Sequence, residues 1–293
     1  MHHTTGTLTA PDGTELFTRR WTPDFGAAGA VLVVHGVHEH SGRHATFASA
    51  LMERGLDVFA YDARGHGHSG GARANVERFS DYLDDLQAML AHVRAETAGR
   101  PLVLFGHSMG GLVAAAYVAE RGAAGLAGLV LSSAALHTFP VPRLLERAAP
   151  HVARWRPEQV VTPLDLRKLS HDPAVERAYR EDPLNTVSGL KARLAHEILL
   201  ASRRVQARPE AFTLPLYLLH GTADRIAPPA GSEWLAAHAP STDVTLRLYD
   251  GLFHELMKEP ERDAIIADVA DWIRAHVTEA GASPAAATRP GTG

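Results

Sequence analysis

Five residues, Gly106-His107-Ser108-Met109-Gly110, set one hydroxyl between two glycines where an apolar run, "PLVLF", gives way to a segment of helical spacing. A serine hydroxyl is a weak nucleophile at neutral pH and reacts only when a base takes its proton and a third group orients that base. A tight turn serves this chemistry. It lifts the serine clear of the backbone, and it needs glycines where side chains would strike the neighbouring strand and helix. The five-residue pattern alone is weak; the strand before it and the helix after it give it meaning.

This strand-to-helix serine resembles the nucleophile of α/β-hydrolases, whose catalytic groups follow the chain order Ser, Asp or Glu, His. Both partners are then expected downstream, just after apolar strand-like runs. "LLHGTADRIAPP" places Asp224 after the run at 215–220, and "LYDGLFHELMKEP" places His254 after the run at 244–249. Asp250 is a rival acid on the same loop as His254, but it would have to fold back onto the imidazole. "LSSAAL", after the run at 126–133, offers no carboxylate. A tetrahedral intermediate also needs two backbone N–H donors for its oxyanion. One is Met109, after the nucleophile; the other is Val37, in "VVHGVHEHSGRH", where a His-Gly pair turns the chain. His38, His40 and His44 crowd that loop, and His66 and His68 another, which invites a metal reading. No carboxylate pattern of a known zinc type accompanies them, so they read as loop residues, and neither metal nor organic cofactor is expected.

Positioning these groups requires strands that end at one edge. Six β-rich runs, at 30–35, 56–61, 101–105, 126–133, 215–220 and 244–249, alternate with helical patterns near 43–54, 79–97, 108–121, 230–238 and 261–277. Near-continuous apolar strands alternating with helices predict a mostly parallel, doubly wound α/β sheet covered on both faces. The "DG" in "LTAPDGTELFTRRW" predicts an antiparallel hairpin at one edge. From 135 to 205 the chain reads as Pro-punctuated helical pieces without a credible strand, an insertion that reads as a helical lid. The core is then 1–134 with 206–278, and 279–293, small and aperiodic, reads as a disordered tail.

With 45% hydrophobic residues the chain of 293 has ample core, and its formal charge of −4 argues against a nucleic-acid partner. There is no cysteine. No leader pattern and no membrane-spanning apolar run are visible, so a cytoplasmic protein is expected.

Taken in order, "HGVHEHSGRH", "YDARGHGHSGG", "GHSMGG", "LSHDPAVERAYREDPLN", "LHGTADRIAPP" and "FHEL" are similar to the motifs of the monoacylglycerol lipase family, from about 10 to 277. The resemblance implies an α/β-hydrolase fold, Ser108 as nucleophile, Asp224 as acid, His254 as base, and Val37 and Met109 as oxyanion donors. It also implies a lipid ester with one acyl chain as substrate, and a lid that contacts membranes or lipid droplets. Phe139, Val141, Leu144, Leu145 and Trp155 would supply that surface or pack on the core. A lysophospholipase or a short-chain carboxylesterase would use the same residues; a perhydrolase, a C–C bond hydrolase or a non-catalytic binding module are remoter readings. One departure stands out: after His-Gly the family usually has Ala then Gly, where this chain has Val37 and His38. If the second position needs a positive φ, histidine bears it at some cost.

Overall fold

The computed structural model describes residues 2–138 and 142–282. Its strands are β1 (His2–Thr9), β2 (Glu15–Thr22), β3 (Gly29–Val34), β4 (Leu56–Tyr61), β5 (Leu102–His107), β6 (Gly128–Ser132), β7 (Val160–Thr162), β8 (Leu190–Lys191), β9 (Leu216–Gly221) and β10 (Val244–Tyr249). Helices α1 (Ala45–Glu53), α2 (Phe79–Glu96), α3 (Met109–Arg121), α4 (Arg143–Trp155), α5 (Pro173–Glu181), α6 (Ala192–Gln206), α7 (Ala230–His238) and α8 (Arg262–Ala282) lie between and after them.

Eight strands form one sheet in the order β1-β2-β4-β3-β5-β6-β9-β10. β4, β3, β5, β6, β9 and β10 pair in parallel, and β1 and β2 add the antiparallel hairpin at the edge. Successive side chains of a strand face opposite sides of a sheet. In β3, accordingly, Ala30, Leu32 and Val34 enter the core under α2 and α3, whereas Val31 and Val33 enter the core under α1 and α8. In β3, β4, β5, β6 and β9 every residue is buried, so these strands read as continuous apolar runs rather than as alternating ones.

Three expectations are corrected. The insertion between β6 and β9 does contain strand: Val160 and Thr162 pair with Lys191 and Leu190 in a short antiparallel ribbon. Its β-branched residues are exposed, so no burial pattern announced them. The last insertion helix, α6, is not a cover, because Leu194, Ala201 and Val205 are buried against α3 in the main core. Finally, α8 continues to Ala282, four residues past the expected core boundary, while Val277 is still buried. Residues 283–293 of the expected tail, like Phe139 and Val141, lie outside the described residues.

Candidate active site

β5 ends at His107 and α3 starts at Met109, which leaves Ser108 as the single residue of the turn, with φ 54° and ψ −118°. The neighbouring glycines are explained by distance. A Cβ on Gly110 would lie 2.2 Å from the carbonyl oxygen of Val34, and one on Gly106 would lie 2.5 Å from that of Gly110. The turn is pinned from β6, whose Ser132 carbonyl accepts the Ser108 N–H at 2.9 Å. The strain at Ser108 is thus over-determined by its surroundings.

Asp224 follows β9 and His254 follows β10, so both reach the edge where β5 ends. His254 Nε2 lies 2.9 Å from Ser108 Oγ, and His254 Nδ1 lies 2.7 Å from Asp224 Oδ2. A carboxylate can only accept, so Nδ1 carries the hydrogen and Nε2 accepts from the serine. Asp224 Oδ1 accepts from the amides of Ile226 (2.7 Å) and Ala227 (3.0 Å). Burial pushes the His254 pKa down, but the charge and hydrogen bond of Asp224 outweigh it and raise it above the ordinary value. Asp224 moves the opposite way: burial raises its pKa, and the charge of His254 with the His220 hydrogen bond bring it well below the carboxylate range. His107 packs on the His254 ring at 4.9 Å, and burial with that neighbour pushes its pKa down to about 3. Asp250 does not join this group. It is exposed and accepts from the Thr222 hydroxyl.

Val37 and Met109 flank Ser108, Val37 lining the same small cavity and Met109 opening α3. A Cβ on Gly36 would come within 3.1 Å of Ser108 Cβ, which shows how closely the loop passes that side chain. His38 takes φ 68°, the left-handed conformation that glycine bears best. Its carbonyl accepts from Tyr179 Oη at 2.8 Å and Thr186 N at 2.9 Å, both in the insertion.

A buried ionic network beneath this loop was not legible in the sequence. Glu39 accepts from Gly36 N at 2.7 Å and from Arg43 at 2.7 Å. Arg43 also forks onto both oxygens of Glu255, at 2.6 and 2.8 Å, and lies 4.5 Å over the Tyr179 ring. It therefore ties the loop beside Ser108 to the residue after His254 and to the insertion. Burial raises the Glu255 pKa, but Arg43 and Lys258 bring it down to about 2. The adjacency of Glu255 to His254 was the only available signal.

The histidine clusters are absorbed by their loops. His40 pairs with Asp182 at 2.8 Å, His44 faces Glu39, His66 Nδ1 donates to the Arg64 carbonyl, and His68 lies against Phe17. Among the described residues no group of three His, Asp or Glu is arranged around a common metal position. The cavity beside Ser108 holds about 20 Å³, with Leu164, Leu169 and Tyr179 of the insertion closing it.

The family described as "Serine aminopeptidase, S33" matches residues 26–261. The chain belongs to that family. Among S33 relatives, the monoacylglycerol lipase of Mycolicibacterium smegmatis is 36% identical over 258 residues, covering 88% of this chain and 92% of its own. The human monoglyceride lipase is 35% identical and covers 94% and 93%. The crystal structure of the Paleococcus ferrophilus monoacylglycerol lipase superimposes with a TM-score of 0.79 at 30% identity, over 89% of this chain and 99% of that one. The S33 chain described here has the α/β-hydrolase fold, in agreement with its sheet order and with the strained turn at Ser108 after β5.

Proposed function

We propose that this protein is a serine hydrolase that cleaves monoacylglycerols to fatty acid and glycerol. The observation that carries the chemistry is the unbroken hydrogen-bond chain Ser108–His254–Asp224 on a strained turn. The substrate class is supported by relatives named for it that match over nearly the whole chain. Ser108 Oγ attacks the ester carbonyl while His254 Nε2 takes its proton, and Asp224 holds the imidazole in the Nδ1–H tautomer. The amides of Val37 and Met109 receive the oxyanion. The tetrahedral intermediate expels glycerol, which takes the proton from His254; water then attacks the acyl-enzyme by the same route and releases the fatty acid.

A cavity of about 20 Å³ holds one water but no ester, so substrate entry requires the segment carrying Leu164, Leu169 and Tyr179 to move. In this reading the insertion is a lid, and α4 is the part that meets a lipid surface, with Leu144, Leu145 and Trp155 exposed. The experiment is glycerol release from monooleoylglycerol micelles, with lysophosphatidylcholine and p-nitrophenyl acetate alongside and Ser108→Ala as blank. Fast release from the monoacylglycerol is expected, with Ser108→Ala lowering kcat by about 10⁶-fold. Turnover of the short ester alone would discard the lipid substrate, preference for lysophosphatidylcholine would make the enzyme a lysophospholipase, and an active Ser108→Ala would discard the triad.

A further inference from the structure

The residue that ends the apolar run of β9 does more than fill the core. His220 is fully buried, and its ring is held on three sides. Nε2 lies 3.0 Å from the Ala227 carbonyl oxygen and 3.2 Å from Asp224 Oδ2, while Nδ1 lies 2.8 Å from Ser232 Oγ, in the first turn of α7. A carbonyl oxygen cannot donate, so Nε2 must carry hydrogen. Nδ1 faces the Ser232 hydroxyl, so both ring nitrogens have a hydrogen-bond partner.

We propose that His220 is a positioning residue for catalysis, holding the Asp224 carboxylate square to His254 by donating Nε2–H to the same oxygen that His254 uses. This inference rests on the triad reading above. Asp224 then has four donors: the Ile226 and Ala227 amides on Oδ1, and the His254 and His220 rings on Oδ2. The two amides fix one oxygen; His220 fixes the other and stops the carboxylate from swivelling away from the base. When His254 takes the proton of Ser108 it becomes an imidazolium, and a carboxylate held in line with it stabilises that charge. Glu255, Glu39 and His107 also face His254, and Arg43 and Tyr179 line the same cavity; none of these five donates to Asp224.

The test uses p-nitrophenyl acetate, so that it does not depend on the lipid substrate, with Ser108→Ala as blank. His220→Leu removes the donor at similar bulk. Its kcat is expected to fall about 10- to 100-fold at unchanged KM, as for loss of a hydrogen bond to a charged group. The ascending limb of its pH–rate profile should move to higher pH, because an under-donated Asp224 makes His254 hold its proton more tightly. His220→Gln, whose amide N–H reaches the position of Nε2, should restore both kcat and the limb. If His220→Leu does not fold, Ser232→Ala, which frees the ring at Nδ1, should move the limb in the same direction by a smaller amount. Titration of the His254 ring by NMR of ¹⁵N-histidine-labelled protein reads the same shift without turnover. Equal losses in His220→Leu and His220→Gln, or a limb that stays fixed in all three variants, would overturn the proposal and leave His220 as packing. A blank that turns over would instead refute the triad.

Discussion

His38 combines two costs that a glycine would avoid. Its φ of 68° strains an L-residue, and its ring is buried with neither nitrogen hydrogen-bonded among the described residues. Burial and nearby Lys191 push its pKa down to about 4, so the ring is neutral at pH 7. Left-handed strain is worth about 1 kcal/mol or more, and an unsatisfied buried polar atom about as much again. Against these stands the packing of the imidazole. His38→Gly is therefore expected to stabilise the fold by about 1 kcal/mol, read as a higher urea midpoint at unchanged m; a lower midpoint would show that the ring is held by contacts worth more than its strain. At this scale the sequence was most informative where chemistry constrains order. Ser108, Asp224 and His254 stood out because a nucleophile, acid and base must follow particular strands, and the structure brings the three side chains together. Glu39–Arg43–Glu255 and His220 did not stand out. Arg43 and Glu255 are 212 residues apart, and an imidazole beside a carboxylate is visible only once the loop after β9 has folded back onto its own strand.

At the scale of elements, legibility followed burial. Strands that are dry on both faces, and helices with one dry face, were located to within a few residues, because hydrophobic period reports what is covered. The insertion is where that signal fails. The β7–β8 ribbon is exposed, and α4 turns Leu144, Leu145 and Trp155 outward, 78%, 61% and 72% exposed, beside the exposed arginines Arg143, Arg147 and Arg154. A helix with apolar residues and arginines both facing water suits the interface of an anionic bilayer. Each of the three apolar side chains would gain about 1.5 kcal/mol on insertion, so replacing all three by Ser should lower partitioning by about 1000-fold. The measurement is flotation with phosphatidylcholine–phosphatidylglycerol vesicles. Wild type is expected to float with the lipid and the triple variant to stay below, and raised salt should weaken wild-type binding in proportion to the arginine contribution. Equal flotation of both proteins would remove α4 from the lipid-binding role.

For the whole molecule, the number of histidines matters more than their individual roles. Of 18 histidines, His35, His38, His66 and His107 are buried where burial dominates their titration. All four have lowered pKa values, to about 4 for His38 and about 3 for His66 and His107. As pH falls below 6.5 the unfolded chain takes up these protons first, so stability drains from pH 6.5 down to the folded-state values. Each group contributes about 1.4 kcal/mol per pH unit in that window. The three with the lowest values together remove several kcal/mol between pH 6.5 and 4.5, a large part of the stability of an ordinary domain. The groups around Ser108 do not offset this loss. His254 has a raised pKa, so its stabilising contribution is complete below pH 6.5 and fades only as pH rises through the folded value. Asp224, Glu39 and Glu255 have lowered values, so their contributions persist until pH falls through the ordinary carboxylate range and then decline. Urea midpoints at pH 7.5, 6.5 and 5.5 should therefore be nearly level for the first pair and fall steeply for the second. A level series through pH 5.5 would mean that the buried imidazoles accept protons in the folded state. The two effects of acid should also separate in time. Under the proposed mechanism, protonation of His254 is expected to silence turnover at once and to reverse at once, whereas proton uptake by the buried rings is expected to follow unfolding, at the unfolding rate.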